Sequence, residues 1–431
     1  MAQQFRIQGG KALSGVIEAR GAKNAAACII PAATLTQGTS ILHNVPNILD
    51  VRRLVDVYSA LGVHVTWKDE HTLEISGSDL DITKLDTETV RKMRMSSYLF
   101  STVTPRVGEM SMPLPGGDKI GARPIDAHFL ALEKLGMQIT GSGEFYTLRA
   151  DHLHGGEVVM TEMSVTGTAN VILTAAQIPD TTVIHNAASE PYIQDLCRFL
   201  QKTGVAIEGI GTHDVTVTGA STLHAAEHTI MPDHIEGGTF VALAAATHSS
   251  LIIQNIVPAF SRLECAKFDE AGVDFSFTNE RNDPDGQYTI TDCVVKPAEL
   301  RGVSKLNSMP YPGCSPDLLP PLAVMLTQAR GTSLIHEWMY EGRQKYLEEL
   351  VRMGANITIC DPHRALIVGP TPLTGTEIMG FDIRSGATMI IAALVAKRES
   401  CILNIEQIDR GYEKIEERLQ ALGASIIREN I

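Results

Sequence analysis

Apolar positions along this chain switch between two periods, and the switch repeats. From Asp50-Val51-Arg52-Arg53-Leu54 onward, apolar residues fall at i, i+3 and i+4, the spacing of one buried helix face. The stretch ends in a small-residue–glycine step at Leu61-Gly62, and Val63-His64-Val65 then reads as a strand. The same succession starts at Asp126-Ala127-His128-Phe129-Leu130 and ends at Leu135-Gly136-Met137-Gln138-Ile139, and it returns around Gly204, Gly272, Gly354 and Gly423. The six glycines are 74, 68, 68, 82 and 69 residues apart. Each is expected to end its helix in the left-handed conformation. The openings repeat too: Gly15 to Ala19 leads into the alanine-rich Gly21 to Ala26, and Ser164–Ala176, Gly237–Thr247 and Ser385–Ala396 each precede a short β-like run. The predicted unit is strand, helix, strand, helix, strand. Six such units exceed the size at which one core stays compact, so two domains of three units are expected, with a solenoid as the structural alternative.

Composition narrows the class. With 431 residues and 44 % hydrophobic content the chain can bury a large core. Met1 to Gly10 lacks the pattern of a secretory signal, and the longest apolar run, about Met389 to Ala396, is far short of the roughly 20 residues of a spanning helix. Seven cysteines at irregular spacing, with no Cys-x-x-Cys pair, read as free thiols in a reducing compartment. A cytoplasmic protein without a metal site is the expectation. A formal net charge of −14 with no Lys/Arg run argues against nucleic acid and acidic membranes as partners. An anionic small molecule would then need a few well-placed cations, helped by helix starts whose N–H groups point into a common cleft.

The densest chemical run is Leu114-Pro115-Gly116-Gly117-Asp118-Lys119-Ile120-Gly121-Ala122-Arg123-Pro124-Ile125-Asp126. On its residues alone it is either a surface turn or a loop that approaches a ligand closely. No Gly-Lys-Ser/Thr follows, so it is not a P-loop, and no Gly-x-Gly-x-x-Gly sits at a strand–helix junction. The run resembles the signature loop of UDP-N-acetylglucosamine enolpyruvyl transferases. Gly21-Ala22-Lys23-Asn24, Lys92-Met93-Arg94, Asp382-Ile383-Arg384 and Asp409-Arg410-Gly411-Tyr412-Glu413 match the same family in order and spacing, with Ser315-Pro316-Asp317 a weaker match. The resemblance runs from about residue 5 to the C-terminus.

That resemblance implies an α/β fold, an inside-out α/β barrel in two domains of three repeats: residues 1–22 with 233–431, and residues 23–232, the latter carrying a lid loop at 112–124. It implies transfer of the enolpyruvyl group of phosphoenolpyruvate to the 3′-hydroxyl of UDP-N-acetylglucosamine with release of phosphate, the first committed step of peptidoglycan precursor synthesis. Addition precedes elimination, and no cofactor or metal is needed. By position, Lys23, Asn24, Arg94, Arg123 and Arg410 correspond to the phosphoenolpyruvate contacts. Asn24, Arg94, Arg123, Pro124, Ile125, Asp126, Ala127, Glu162, Met163, Ser164, Val165, Asp317 and Met339 correspond to contacts with the sugar nucleotide. Asp317 is implied as the base at the attacking hydroxyl, with Asp382 as runner-up and Arg384 in support; Asp118, Lys23 and Arg410 complete the catalytic set.

The sequence also departs from the family pattern. Asp118 stands where most members carry a cysteine, the residue that fosfomycin alkylates, so resistance to that epoxide is expected. Glu162, Ser164-Val165-Thr166-Gly167, His234, Cys314-Ser315 and Gly342 depart as well, mainly on the sugar-nucleotide side. A different acceptor, or a non-catalytic sugar-nucleotide binder, remains an alternative at this stage. The oligomeric state is left open.

Overall fold

The computed structural model describes residues 3–77, 79–117 and 124–431. Asp118 and Arg123 lie outside the described residues. The chain forms two units, one from residues 21–231 and the other from residues 3–20 with Pro232–Ile431. The crossovers therefore fall after Arg20 and after Met231, against the 22/23 and 232/233 read from the sequence. Gly21 belongs to the first-named unit because of its packing. A Cβ there would lie 1.7 Å from the Asn44 carbonyl oxygen, so only glycine allows the two backbones to meet.

Each unit contains three modules. In residues 21–231 the first sheet runs Glu227–Thr229, Thr39–His43, Leu73–Ser76, His64–Trp67, with the first pair parallel and the others antiparallel. The second is the antiparallel set Glu109–Pro113, Phe145–Arg149, Gln138–Ser142, and the third runs Gly156–Val159, Thr181–His185, Asp214–Thr218, Ala206–Glu208. The other unit repeats the scheme with Asp274–Asn282, Thr289–Lys296, Ser250–Ile256, Ser14–Glu18; then Leu306–Asn307, Gly331–His336, Arg364–Gly369, Asn356–Ile359; then Glu377–Met379, Glu399–Leu403, Gln3–Gln8, Ser425–Asn430.

The alanine-rich and leucine-rich helices lie inside these sheets. Every residue of His234–Ala246 and of Leu319–Thr327 is buried, as is 383–394 of the helix Ile383–Val395, and the three helices pack on one another. A helix that is apolar on all sides can satisfy its surface only at the centre of a domain. In residues 21–231, the helices Lys23–Ala33 and Val165–Ala175 are similarly enclosed and pack against the Arg94–Tyr98 turn. Helices inside and sheets outside give the expected inside-out α/β barrel.

The repeat is cut differently in space than in sequence. Ser14–Glu18, which opens a repeat when the chain is read linearly, pairs in parallel with Ser250–Ile256. The module built on Thr39–His43 takes its parallel edge strand from Glu227–Thr229, far down the chain. A parallel neighbour always needs a crossover, and drawing it from the distant end closes each unit on itself.

All six periodic glycines have positive φ, from +77° at Gly272 to +107° at Gly62. Their surroundings differ. At Gly136 (φ +89°) a Cβ would lie 2.2 Å from the His152 carbonyl oxygen, whereas at Gly423 (φ +94°) nothing stands within 4 Å. Gly423→Ala should cost only the left-handed backbone penalty, roughly 1–2 kcal/mol. Gly136→Ala adds a backbone collision and should lower the melting temperature by at least about twice as much. Equal shifts in thermal melts would refute the steric account.

Candidate active site

The charged centre of the unit holding Pro232–Ile431 forms around Asp317. This residue follows the turn at Ser315 and lies just before the buried helix Leu319–Thr327. Its Oδ1 accepts from Arg343 Nη2 at 2.6 Å, and its Oδ2 lies 3.5 Å from Arg384 Nε. Arg384 also donates from Nη2 to Asp233 Oδ2 at 3.3 Å, and its guanidinium lies 5.2 Å above the Tyr412 ring. Both arginines are nearly fully buried. Burial works against the charge of Arg384, but Tyr412, Asp233 and Asp317 outweigh it and hold its pKa well above the ordinary value. The same holds for Arg343, where burial is overcome by Asp317 and Asp382. Arg343 Nε and Nη1 and Arg384 Nη1 are buried with no hydrogen-bond partner, which leaves donors for an anion or for water beside the carboxylate.

Two aspartates of this centre already have structural work. Asp233 Oδ1 accepts from the N–H groups of Ile235 and Glu236, capping the helix His234–Ala246. Asp382 Oδ1 accepts from the N–H groups of Arg384 and Ser385, and the Asp382 N–H donates to Ser385 Oγ, completing a capping box. Ser164 likewise caps Gly167. The expectation that helix starts present unpaired N–H groups to an anion is therefore corrected at all three. Side-chain oxygens take two of the N–H groups at Asp233, two at Asp382 and one at Ser164, and at two of the three starts the oxygen is anionic. The helix Lys23–Ala33 has no side-chain cap, so it alone among these four keeps an open start.

His234 and Glu337 lie near this centre, and Arg410 belongs to the same unit. His234 is buried, and burial pulls its pKa below the usual imidazole value, against the influence of Asp233. Glu337 is buried and its Oε1 accepts from Ser308 Oγ and from the N–H groups of Met339 and Tyr340, fixing the loop on which Met339 is half-buried. Arg410 is buried and donates to Gln407. Its neighbour Asp409 holds Arg428 bidentately at 2.7 and 2.9 Å, tying the motif to the strand Ser425–Asn430.

In residues 21–231, Lys23 Nζ lies 2.8 Å from Asp50, with both side chains largely buried. Asn24 follows it at the same helix start. Arg94 begins the turn Arg94–Tyr98 and donates to the Pro124 carbonyl at 3.1 Å, which brings two of the expected residues together. Pro124 and Asp126 are exposed, while Ile125 and Ala127 are buried, so any contact from these two is through backbone. Glu162 is exposed and Met163, Ser164 and Val165 are half-buried. His128, absent from the expected set, is fully buried and bonds Thr166 Oγ1 at 2.7 Å.

The sequence reading thus listed Asp317, Asp382 and Arg384, which do converge, and left out Arg343, Asp233 and Tyr412, which converge with them. Tyr412 lay inside a quoted motif, and Asp233-His234-Ile235-Glu236 carries a capping signature. Arg343 had no local signal beyond its charge beside Gly342.

Comparison with known proteins agrees with this architecture. The sequence profile of EPSP synthase (3-phosphoshikimate 1-carboxyvinyltransferase) matches residues 7–419. The chain is 40 % identical over 425 residues to a UDP-N-acetylglucosamine 1-carboxyvinyltransferase of Treponema denticola, covering 98 % of each, and 40 % identical over 427 residues to one of Bradyrhizobium diazoefficiens, covering 99 % of this chain and 98 % of that one. Among solved structures, the enolpyruvyl transferase NikO from Streptomyces tendae superposes with a TM-score of 0.87 at 22 % identity over 99 % of both chains. EPSP synthase from Acinetobacter baumannii gives 0.76 at 18 % identity over 99 % of this chain and 100 % of that one. Structural likeness at such identities speaks for the fold, and the near-full-length identity to the sequence relatives speaks for the branch: this chain belongs to the enolpyruvyl transferases, in the UDP-N-acetylglucosamine 1-carboxyvinyltransferase family.

Proposed function

We propose that the protein transfers the enolpyruvyl group of phosphoenolpyruvate to the 3′-hydroxyl of UDP-N-acetylglucosamine, releasing phosphate, as a cytoplasmic step in peptidoglycan precursor synthesis. The observation that carries this reading is Asp317, gripped by two buried guanidiniums whose remaining nitrogens Arg343 Nε, Arg343 Nη1 and Arg384 Nη1 have no protein partner. A carboxylate able to take a proton, set beside spare donors for an anion, is the minimum apparatus for activating a hydroxyl next to an anionic co-substrate. Full-length identity of about 40 % to the family supports the choice of donor and acceptor.

In this scheme Asp317 accepts the proton of the attacking hydroxyl as its oxygen bonds to C2 of phosphoenolpyruvate, while Asp118 gives a proton to C3. The tetrahedral phospholactoyl adduct then loses a proton from C3 as the bond between C2 and the phosphate oxygen breaks. Lys23, Arg94, Arg123 and Arg410 neutralise the phosphate and carboxylate, with arginine forks suited to both groups. Asn24 contacts the sugar, the segments 123–127 and 162–165 and Met339 line the nucleotide, and Asp382 with Arg384 supports the base. The same scheme leaves Asp382 Oδ1 to its helix cap, which favours Asp317 over Asp382 as base.

The test is phosphate release from phosphoenolpyruvate with UDP-N-acetylglucosamine, other UDP-sugars, shikimate 3-phosphate, or no acceptor. Turnover should require UDP-N-acetylglucosamine. Turnover confined to another acceptor, or none with any, overturns the reading.

A further inference from the structure

We infer that Glu264, on the helix Arg262–Glu270, is a positioning residue for Asp317, fixing through Ser315 the turn that carries the carboxylate; this rests on the reading of Asp317 as the base. Glu264 Oε1 accepts from the Ser315 N–H at 3.1 Å. Ser315 Oγ in turn accepts from the Asp317 N–H at 3.3 Å, and the Ser315 carbonyl accepts from the Leu318 N–H at 3.0 Å. One carboxylate thus anchors a turn that binds both Asp317 and the start of the helix behind it.

The energetics point to a purpose. Glu264 is 3 % exposed and, among the described residues, its side chain forms no ion pair. The neighbouring charges of its own helix are engaged with each other, Lys267 with Glu270 at 2.7 Å. A buried carboxyl without a cation costs stability, which an apolar side chain in its place would not. What it supplies in return is an acceptor for the backbone N–H of Ser315, two residues before the base. The Asp317 carboxylate is then located from two sides, by guanidiniums at its oxygens and by the Glu264–Ser315 link at its backbone. Displacements near 1 Å at a reacting group can cost about 10²-fold in rate, so this second constraint matters to turnover. Burial pushes the Glu264 carboxyl up from its ordinary value, and glutamine keeps an acceptor oxygen for the Ser315 N–H at the same chain length.

The experiment compares Glu264→Gln, which keeps the acceptor, with Glu264→Met, which keeps the length and removes it. Asp317→Asn serves as reference, and phosphate release with phosphoenolpyruvate and UDP-N-acetylglucosamine is the assay. E264M should lose about 10- to 100-fold in kcat with both KM values within about threefold, and should shift the low-pH limb of kcat; E264Q should stay within about threefold throughout. An active Asp317→Asn enzyme removes the reading of the base itself. An inactive Asp317→Asn enzyme beside an E264M variant with undiminished kcat, or equal losses in E264Q and E264M, overturns the positioning role alone. If E264M does not fold, Ser315→Ala reads the next link. It keeps the N–H and deletes the bond to Asp317, so kcat should fall with KM steady, and an unchanged kcat overturns the inference.

Discussion

Asp118→Cys should create sensitivity to fosfomycin, which the enzyme with aspartate at this position is expected to withstand. A thiol with a pKa near 8.5 provides a small fraction of strongly nucleophilic thiolate at neutral pH, and that thiolate opens an epoxide. A carboxylate is almost wholly ionised there, yet it is a far weaker nucleophile. After preincubation with the drug, residual activity of the Asp118 enzyme should stay near its starting value, while D118C should lose about 90 % or more in a time-dependent way and gain the mass of one adduct. Time-dependent loss in the unaltered enzyme would sink this account. The same substitution tests the acid role. An unshifted aspartate sits about three units below neutral pH, so keeping it protonated costs on the order of 4 kcal/mol. A substrate phosphate bound beside it would raise its pKa, and lysine or arginine charge from its sequence neighbours Lys119 and Arg123 would lower it. An acid must be protonated to act, so the high-pH limb of kcat should lie lower in the Asp118 enzyme and move upward in D118C.

Much of the fold was legible because its punctuation is steric. Six glycines at a near-constant interval mark six positions of positive φ, a region that glycine enters at least steric cost. The alanine-rich stretches read as helices, and their lack of a polar face accounts for where the structure puts them. The strand exchange was not legible. Nothing in Ser14–Glu18 names Ser250–Ile256 as its partner, since parallel pairing leaves no trace in local periodicity. The candidate residues divide in the same way. Lys23, Arg94, Asp317 and Arg384 stood out through short motifs, whereas the 2.6 Å contact between Arg343 and Asp317 spans 26 residues and depends on packing. Motif membership also blurred roles. Asp409 looks like part of a binding sequence, but its carboxylate anchors Arg428, and Tyr412 of the same motif supports the guanidinium of Arg384.

The largest combined loss of stability and activity is expected from Arg384→Met. This side chain joins Asp233 at 3.3 Å to Asp317 at 3.5 Å inside the unit, over the Tyr412 ring. Removing one partner of a buried ion pair typically costs about 3–5 kcal/mol, because the remaining charge keeps its desolvation penalty. Asp317 keeps Arg343, so most of the stability cost falls on Asp233, 7 % exposed in its side chain. The activity cost falls on Asp317, whose Oδ2 loses its orienting cation; kcat should drop by about 10²-fold or more. The two costs can be separated. Asp233→Asn retains the oxygen that caps Ile235 and Glu236, and asparagine caps helices about as well as aspartate, but it carries no charge. The double variant D233N/R384M should therefore regain part of the melting temperature lost in R384M while its kcat stays low. Recovery of both together would mean that Arg384 serves the reaction only by keeping the domain folded, and recovery of neither would mean that the charge on Asp233 is not what R384M leaves exposed to loss.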